Sequence, residues 1–147
     1  MSLQKLYQSA LLAHNRAPKH RHEMPHATHS ARGTDAMCGD DVRIWLRVEG
    51  NRIAEASWSG DACVVTTATA SMLTDWLPGS AVDQLRETYV RFSELMSDPD
   101  RPDVTELGEL NVLRNVGAFR SRRRNALLPW ETALKAIERP DLSSASD

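Results

Sequence analysis

Leu3, Leu6, Tyr7, Ala10 and Leu11 recur at helical spacing, which predicts an amphipathic helix over roughly the first fifteen residues. Pro18 follows and stops it. From about Lys19 to Met37 the chain is polar and unperiodic, the pattern expected of a long surface loop. Val42, Ile44, Leu46 and Val48 then alternate with Arg43, Trp45, Arg47 and Glu49, the period of a half-buried strand. Gly50-Asn51 marks a tight turn, and Arg52 to Ser59 should return as the antiparallel partner, broken at Gly60. After Cys63 the period changes to that of a helix, with Val65, Ala68, Met72, Leu73 and Trp76 on one side and Pro78-Gly79 at the end. Val82, Leu85, Tyr89, Phe92 and Met96 predict the next helix. Leu107, Leu110, Leu113 and Val116 predict a short one. Ala126, Leu127, Trp130, Ala133, Leu134 and Ile137 trace the last, up to Pro140. Strands come early and helices late, without βαβ alternation. That order predicts an α+β fold: a small antiparallel sheet with helices packed on one face.

The chain of 147 residues suits one domain, read as 1–140 with a flexible tail over 141–147. Its net charge of −2 points to neither nucleic acid nor a membrane surface. No apolar run approaches the roughly 20 residues of a membrane span, and Met1-Ser2-Leu3-Gln4-Lys5 lacks the apolar core of a secretion signal. With two cysteines there is no disulfide framework, so a cytoplasmic, reducing setting is expected.

Those two cysteines carry the candidate chemistry. Cys38 lies in Met37-Cys38-Gly39-Asp40-Asp41, and Cys63 ends Ser59-Gly60-Asp61-Ala62-Cys63 at a predicted helix start. Gly39 permits a tight turn that aims Cys38 and Asp40 one way. The helix start offers unsatisfied N–H groups and the positive end of the dipole, which favour an anionic side chain at Cys63. Two sulfurs and a carboxylate oxygen read as three ligands of one Zn²⁺ or Fe²⁺ site, where a closed tetrahedral site needs four. Two other readings stand beside it: inert core thiols, and a redox pair of Cys38 with Cys63.

Cys38-Gly39-Asp40, Gly60-Asp61-Ala62-Cys63 and Ala68-Thr69-Ala70-Ser71-Met72 together resemble the iron–sulfur cluster assembly scaffold family of IscU, SufU and the N-terminal part of NifU. Leu6-Tyr7 with His14 and Pro18 resembles the family's opening helix. Leu107-Gly108 to Val116, Phe119, Arg120-Ser121-Arg122, Ala126-Leu127 and Trp130 resemble its C-terminal segment. The stretch from Pro78 to Asp103 matches an insertion of the SufU branch. The resemblance implies a three-stranded antiparallel sheet with helices on one side and a metal site of three cysteines and one aspartate at one end. It implies zinc or iron there, or a transient two-iron, two-sulfur cluster. It further implies sulfur received from the persulfide of a pyridoxal-phosphate cysteine desulfurase, delivery to iron–sulfur recipient proteins, and no stand-alone turnover. Carried over by position, Cys38, Asp40 and Cys63 take three ligand places, with Cys38 the sulfur acceptor or exchanging ligand.

The chain departs from that pattern at the third cysteine, whose place is held by Asn125, next to Arg124 where the SufU branch has lysine. A neutral amide is a weak ligand beside a thiolate, so metal should be held more weakly or the site completed differently. His20, His22, His26 and His29 precede Cys38; His26 and His29 are the nearest substitutes in sequence, against the simpler reading that they are solvated. Arg120, Arg122, Arg123 and Arg124 form a basic cluster suited to an acidic partner surface more than to nucleic acid, beside the plainer reading of a solvated helix start. Two alternatives to a scaffold or sulfur acceptor remain: a divergent paralogue that binds the desulfurase or clients without building a cluster, and a two-thiol zinc or redox protein.

Overall fold

The computed structural model describes residues 3–140, so the tail expected over 141–147 lies outside the described residues. The chain opens with helix α1 (Leu3–Arg16) and continues into strands β1 (His29–Asp35), β2 (Asp40–Glu49) and β3 (Arg52–Asp61). These form one antiparallel sheet in the order β1-β2-β3. Helix α2 (Val64–Trp76) follows. A 3-10 turn (Val82–Gln84) leads into α3 (Leu85–Ser97), and a 3-10 stretch over Thr105–Ala118, kinked at Gly108, leads into α4 (Arg120–Ile137).

The alternation read in β2 is realised: Val42, Ile44 and Leu46 are fully buried. Ile44 pairs with Trp58 and Leu46 with Ala56, so the two strands give the core one face. Helices α2 and α4 pack on the sheet, and α3 packs against α4 and the Thr105–Ala118 stretch. Helix α2 is buried all the way round from Val65 to Thr74. Its threonines satisfy their hydroxyls within the helix: Thr69 donates to the Val65 carbonyl and Thr74 to that of Ala70.

The expected loop from Lys19 to Met37 is corrected. Its second half is strand β1, whose pairing with β2 supplies an order that its polar sequence HSARGTD does not announce. Its first half is strapped to the sheet. The His20 carbonyl accepts the Trp58 N–H, the Lys19 carbonyl accepts the Trp58 indole N–H, and Met24 and Ala27 are buried. This strap covers the outer edge of β3, which would otherwise expose unpaired backbone groups. Two smaller differences concern boundaries. Strand β3 runs through Gly60 to Asp61, and α4 starts at Arg120, several residues before the apolar periodicity begins.

Helix α1 is fixed by His14, which is buried between the Ser71 hydroxyl of α2 (2.6 Å) and the Glu109 carboxylate (2.7 Å). Asn15 adds a bond from its side-chain amide to the Val64 carbonyl. These contacts set α1 beside the start of α2, where Cys63 lies.

Candidate functional site

Three chain segments meet at one end of the sheet. The β1–β2 turn, residues 36–39, carries Cys38, with Gly39 at φ +72°, a left-handed conformation that glycine adopts without penalty. The β3–α2 junction carries Cys63, which caps α2 in an extended conformation. The start of α4 carries Arg124 and Asn125.

Asp40 is the centre of this meeting point and is only 2% exposed. A carboxylate so buried must be supplied with donors, and it is. Its Oδ1 accepts the backbone N–H of Cys63 at 2.8 Å, closing the first turn of α2 from outside the helix. Its Oδ2 accepts the Thr66 hydroxyl at 2.6 Å and the Asn125 side-chain amide at 2.5 Å, and the Cys63 Sγ lies 3.8 Å away. The Asn125 amide oxygen in turn faces the Cys38 thiol, with Sγ to Oδ1 at 3.7 Å. The result is a chain of contacts running from Cys38 through Asn125 and Asp40 to Cys63.

Two residues complete this arrangement that the sequence alone had not placed in the site. Thr66 lies one turn into α2, its hydroxyl 3.3 Å from Cys63 Sγ as well as on Asp40. Pro129 acts at a distance. Having no N–H, it leaves the Asn125 carbonyl without its partner inside α4, and the Thr66 Oγ1 lies 3.4 Å from that carbonyl. A proline four residues after a candidate ligand is the signal that could have marked this carbonyl. We expect Thr66→Val, an isosteric change at a fully buried position, to cost roughly 1.5–3 kcal/mol in urea unfolding, the usual worth of a hydrogen bond to a charged group. A cost near zero would mean that Asp40 does not depend on that hydroxyl.

Tyr7 of α1 reaches the same end. Burial pushes its phenol above the ordinary value; Arg122 pulls it down and Cys63 pushes it up, so its ring lies within electrostatic reach of both.

The structure thus brings Cys38, Asp40, Cys63 and Asn125 together and leaves His26 and His29 out. His29 opens β1, six residues from Asp35, which at the rise of a strand is about 20 Å from the site end. His26 pairs with Glu55, and the His29 Nδ1 shares a hydrogen bond with the Thr28 hydroxyl at 2.8 Å. Neither histidine completes the ligand set.

Two separations at the site are those of neighbouring ligands on one tetrahedral metal, but its chemistry does not fit one. Two thiolates on one zinc sit about 3.8 Å apart at the tetrahedral angle, close to the separations of Cys38 from Asn125 and of Cys63 from Asp40. The fourth place, however, is held by a neutral amide whose N–H already neutralises part of Asp40. A metal would have to displace that bond to gain a weak ligand. Among the described residues, no group of three or more histidine, cysteine, aspartate or glutamate side chains is arranged to hold a metal.

The segments that carry the site also present exposed apolar and basic side chains. Met37 is 81% exposed and Phe119 62%, Val64 is also exposed, and Cys38 itself is open to solvent. Arg120, Arg122 and Arg124 are exposed on the first turns of α4, and Arg124 reaches Met37. Positive side chains there oppose the helix dipole, so helix stability does not explain them.

The family profile described as the NifU-like N terminal domain matches residues 6–126. The chain belongs to this family. It is 27% identical over 137 residues to the iron-sulfur cluster assembly scaffold protein IscU of Streptococcus pyogenes serotype M1, covering 93% of this chain and 86% of that protein. It is 24% identical over 140 residues to the zinc-dependent sulfurtransferase SufU of Bacillus subtilis, covering 95% of each. The solved NifU-like N-terminal structure from Brucella abortus superposes with a TM-score of 0.80 at 16% identity, over 93% of this chain and 96% of that one, which shows the shared fold. The three-stranded sheet with helices on it, expected from the sequence, is the architecture of this NifU-like domain.

Proposed function

We propose that this protein works in iron–sulfur cluster assembly as a sulfur acceptor, with Cys38 as the receiving thiol. The observation that carries this reading is the asymmetry of the site. Cys38 stands exposed on a glycine turn, while Asp40 and the Cys63 backbone are locked together beneath it. Membership in a family that includes proteins named as scaffolds and as a sulfurtransferase supports it.

The donor is a persulfide on a pyridoxal-phosphate cysteine desulfurase. The Cys38 thiolate attacks the outer sulfur of that persulfide. A new S–S bond forms on Cys38, the old one breaks, and the desulfurase cysteine leaves as a thiolate, with no net oxidation. Thr66 and Asn125 keep the buried Asp40 charge satisfied during the exchange. The apolar and basic rim of Met37, Phe119, Arg120 and Arg122 offers the docking face for an acidic, partly apolar surface around the donor cysteine. Iron and any cluster are cargo, passed on to recipient proteins from a cytoplasmic setting.

A scaffold role is the second reading, favoured by the ligand-like separations of Cys38 from Asn125 and of Cys63 from Asp40. Anaerobic reconstitution with ferrous iron and sulfide separates the two. We expect sulfur on Cys38 after incubation with the desulfurase and cysteine, and no cluster that survives gel filtration. A visible-absorbing cluster at stoichiometric yield would make the protein a scaffold instead.

A further inference from the structure

Asp35 is the last residue of β1 and pairs across the strands with Asp40, yet its side chain is only 6% exposed. A second buried carboxylate so close to the first needs a purpose and a partner. Its Oδ1 takes the backbone N–H of Met37 at 3.0 Å, an aspartate closing the turn two residues ahead of it. The same oxygen accepts Arg124 Nη2 at 2.9 Å. Arg124 Nη1 lies 3.5 Å from the Met37 Sδ. The guanidinium of α4 therefore grips the β1–β2 turn at two points, through the residue before Cys38 and through the residue that begins the turn.

We propose that Arg124 is the positioning residue for Cys38: it clamps the turn to α4 through Asp35 and so holds the thiol at one place above Asn125. Each element of the site is then tied to α4 by a side chain adjacent in sequence. Arg124 fixes the Cys38 turn, and Asn125 fixes Asp40 and, through it, the Cys63 junction. Ligation to a common metal would tie the same segments together; here hydrogen bonds and one ion pair do so. Arg124 differs in this from Arg120 and Arg122, whose place is on the docking rim.

The test uses the full chain and two readouts. In Arg124→Ala, amide hydrogen exchange at residues 37–39 is expected to speed up by about tenfold, while exchange at the first turn of α2 stays unchanged. Asp35→Asn keeps an oxygen for the Met37 N–H but loses the ion pair, and should shift exchange in the same direction. Arg124→Lys, which keeps the charge within reach of Asp35, should stay within about threefold of the wild type. The second readout is sulfur uptake from the desulfurase, and this arm rests on the function proposed above. Arg124→Ala should lower the maximal rate about tenfold with the half-saturating desulfurase concentration unchanged, because docking is left intact. Unchanged exchange at residues 37–39, or an equal rise throughout the protein, would overturn the clamp. A wild type that takes up no sulfur would overturn the function while leaving the exchange result to judge the clamp.

Discussion

Asn125→Cys should turn a weak metal site into a strong one. The substitution places a thiolate where the amide now touches both neighbours, 3.7 Å from Cys38 Sγ and 2.5 Å from Asp40 Oδ2. With Cys63 it completes a set of three sulfurs and one carboxylate oxygen, and it adds the negative charge that the natural set lacks. Zinc affinity, read by competition with a chromophoric chelator, is expected to rise by roughly 100-fold or more. The metal-free variant should pay for it. Asp40 loses its amide donor and stays buried, a cost of about 1–3 kcal/mol. Zinc should therefore raise the melting temperature of the variant far more than that of the wild type. If zinc binds both proteins equally, the fourth ligand is not at position 125 and the reading of the site is wrong.

Trp130→Ala should be the most damaging single change in the core. The indole is fully buried on α4 and touches three rings: Trp76 at 5.4 Å, Phe92 at 5.2 Å and Tyr89 at 6.2 Å between centroids. Those rings come from α2 and α3, so Trp130 joins the helical segment after Pro78 to the rest of the fold. Truncating a buried tryptophan costs about 3–5 kcal/mol, which urea unfolding followed by circular dichroism will show. Trp130→Phe should cost only about 1–2 kcal/mol, since volume is largely kept and the indole N–H has no hydrogen-bond partner among the described residues. Equal losses for the two variants would mean that this N–H is bonded after all.

The periodic segments were legible because burial in them follows a simple period. The inward residues of β2 and the apolar stripe of α3 stand in the sequence as they stand in the fold. Strand β1 was not legible. It has the sequence HSARGTD, with no alternation of large apolar residues, and its order comes from pairing with β2. The start of α4 was missed for the same kind of reason: four of the residues from 120 to 124 are arginines, and Arg120, Arg122 and Arg124 are exposed, so the apolar period begins only at Ala126. As candidates for one site, Cys38, Asp40 and Cys63 stood out in the sequence by a glycine turn and a helix start. The parts played by Thr66, Asp35 and Pro129 depend on contacts across 26 to 89 residues of chain, which local pattern does not encode. The histidines misled because nearness in sequence to Cys38 means distance along a strand: β1 carries His29 away from the site as fast as an extended chain can.

The measurement closest to the central claim is mass-spectrometric mapping of sulfur on protein stripped of metal with a chelator. The stripped protein is incubated anaerobically with a cysteine desulfurase and cysteine, then digested without reductant. The hydrogen-bonded site predicts one extra sulfur atom on the Cys38 peptide, none on the Cys63 peptide, and none anywhere in Cys38→Ser. Sulfur that appears on Cys63, or on Cys38 only after zinc or iron is restored, would contradict it.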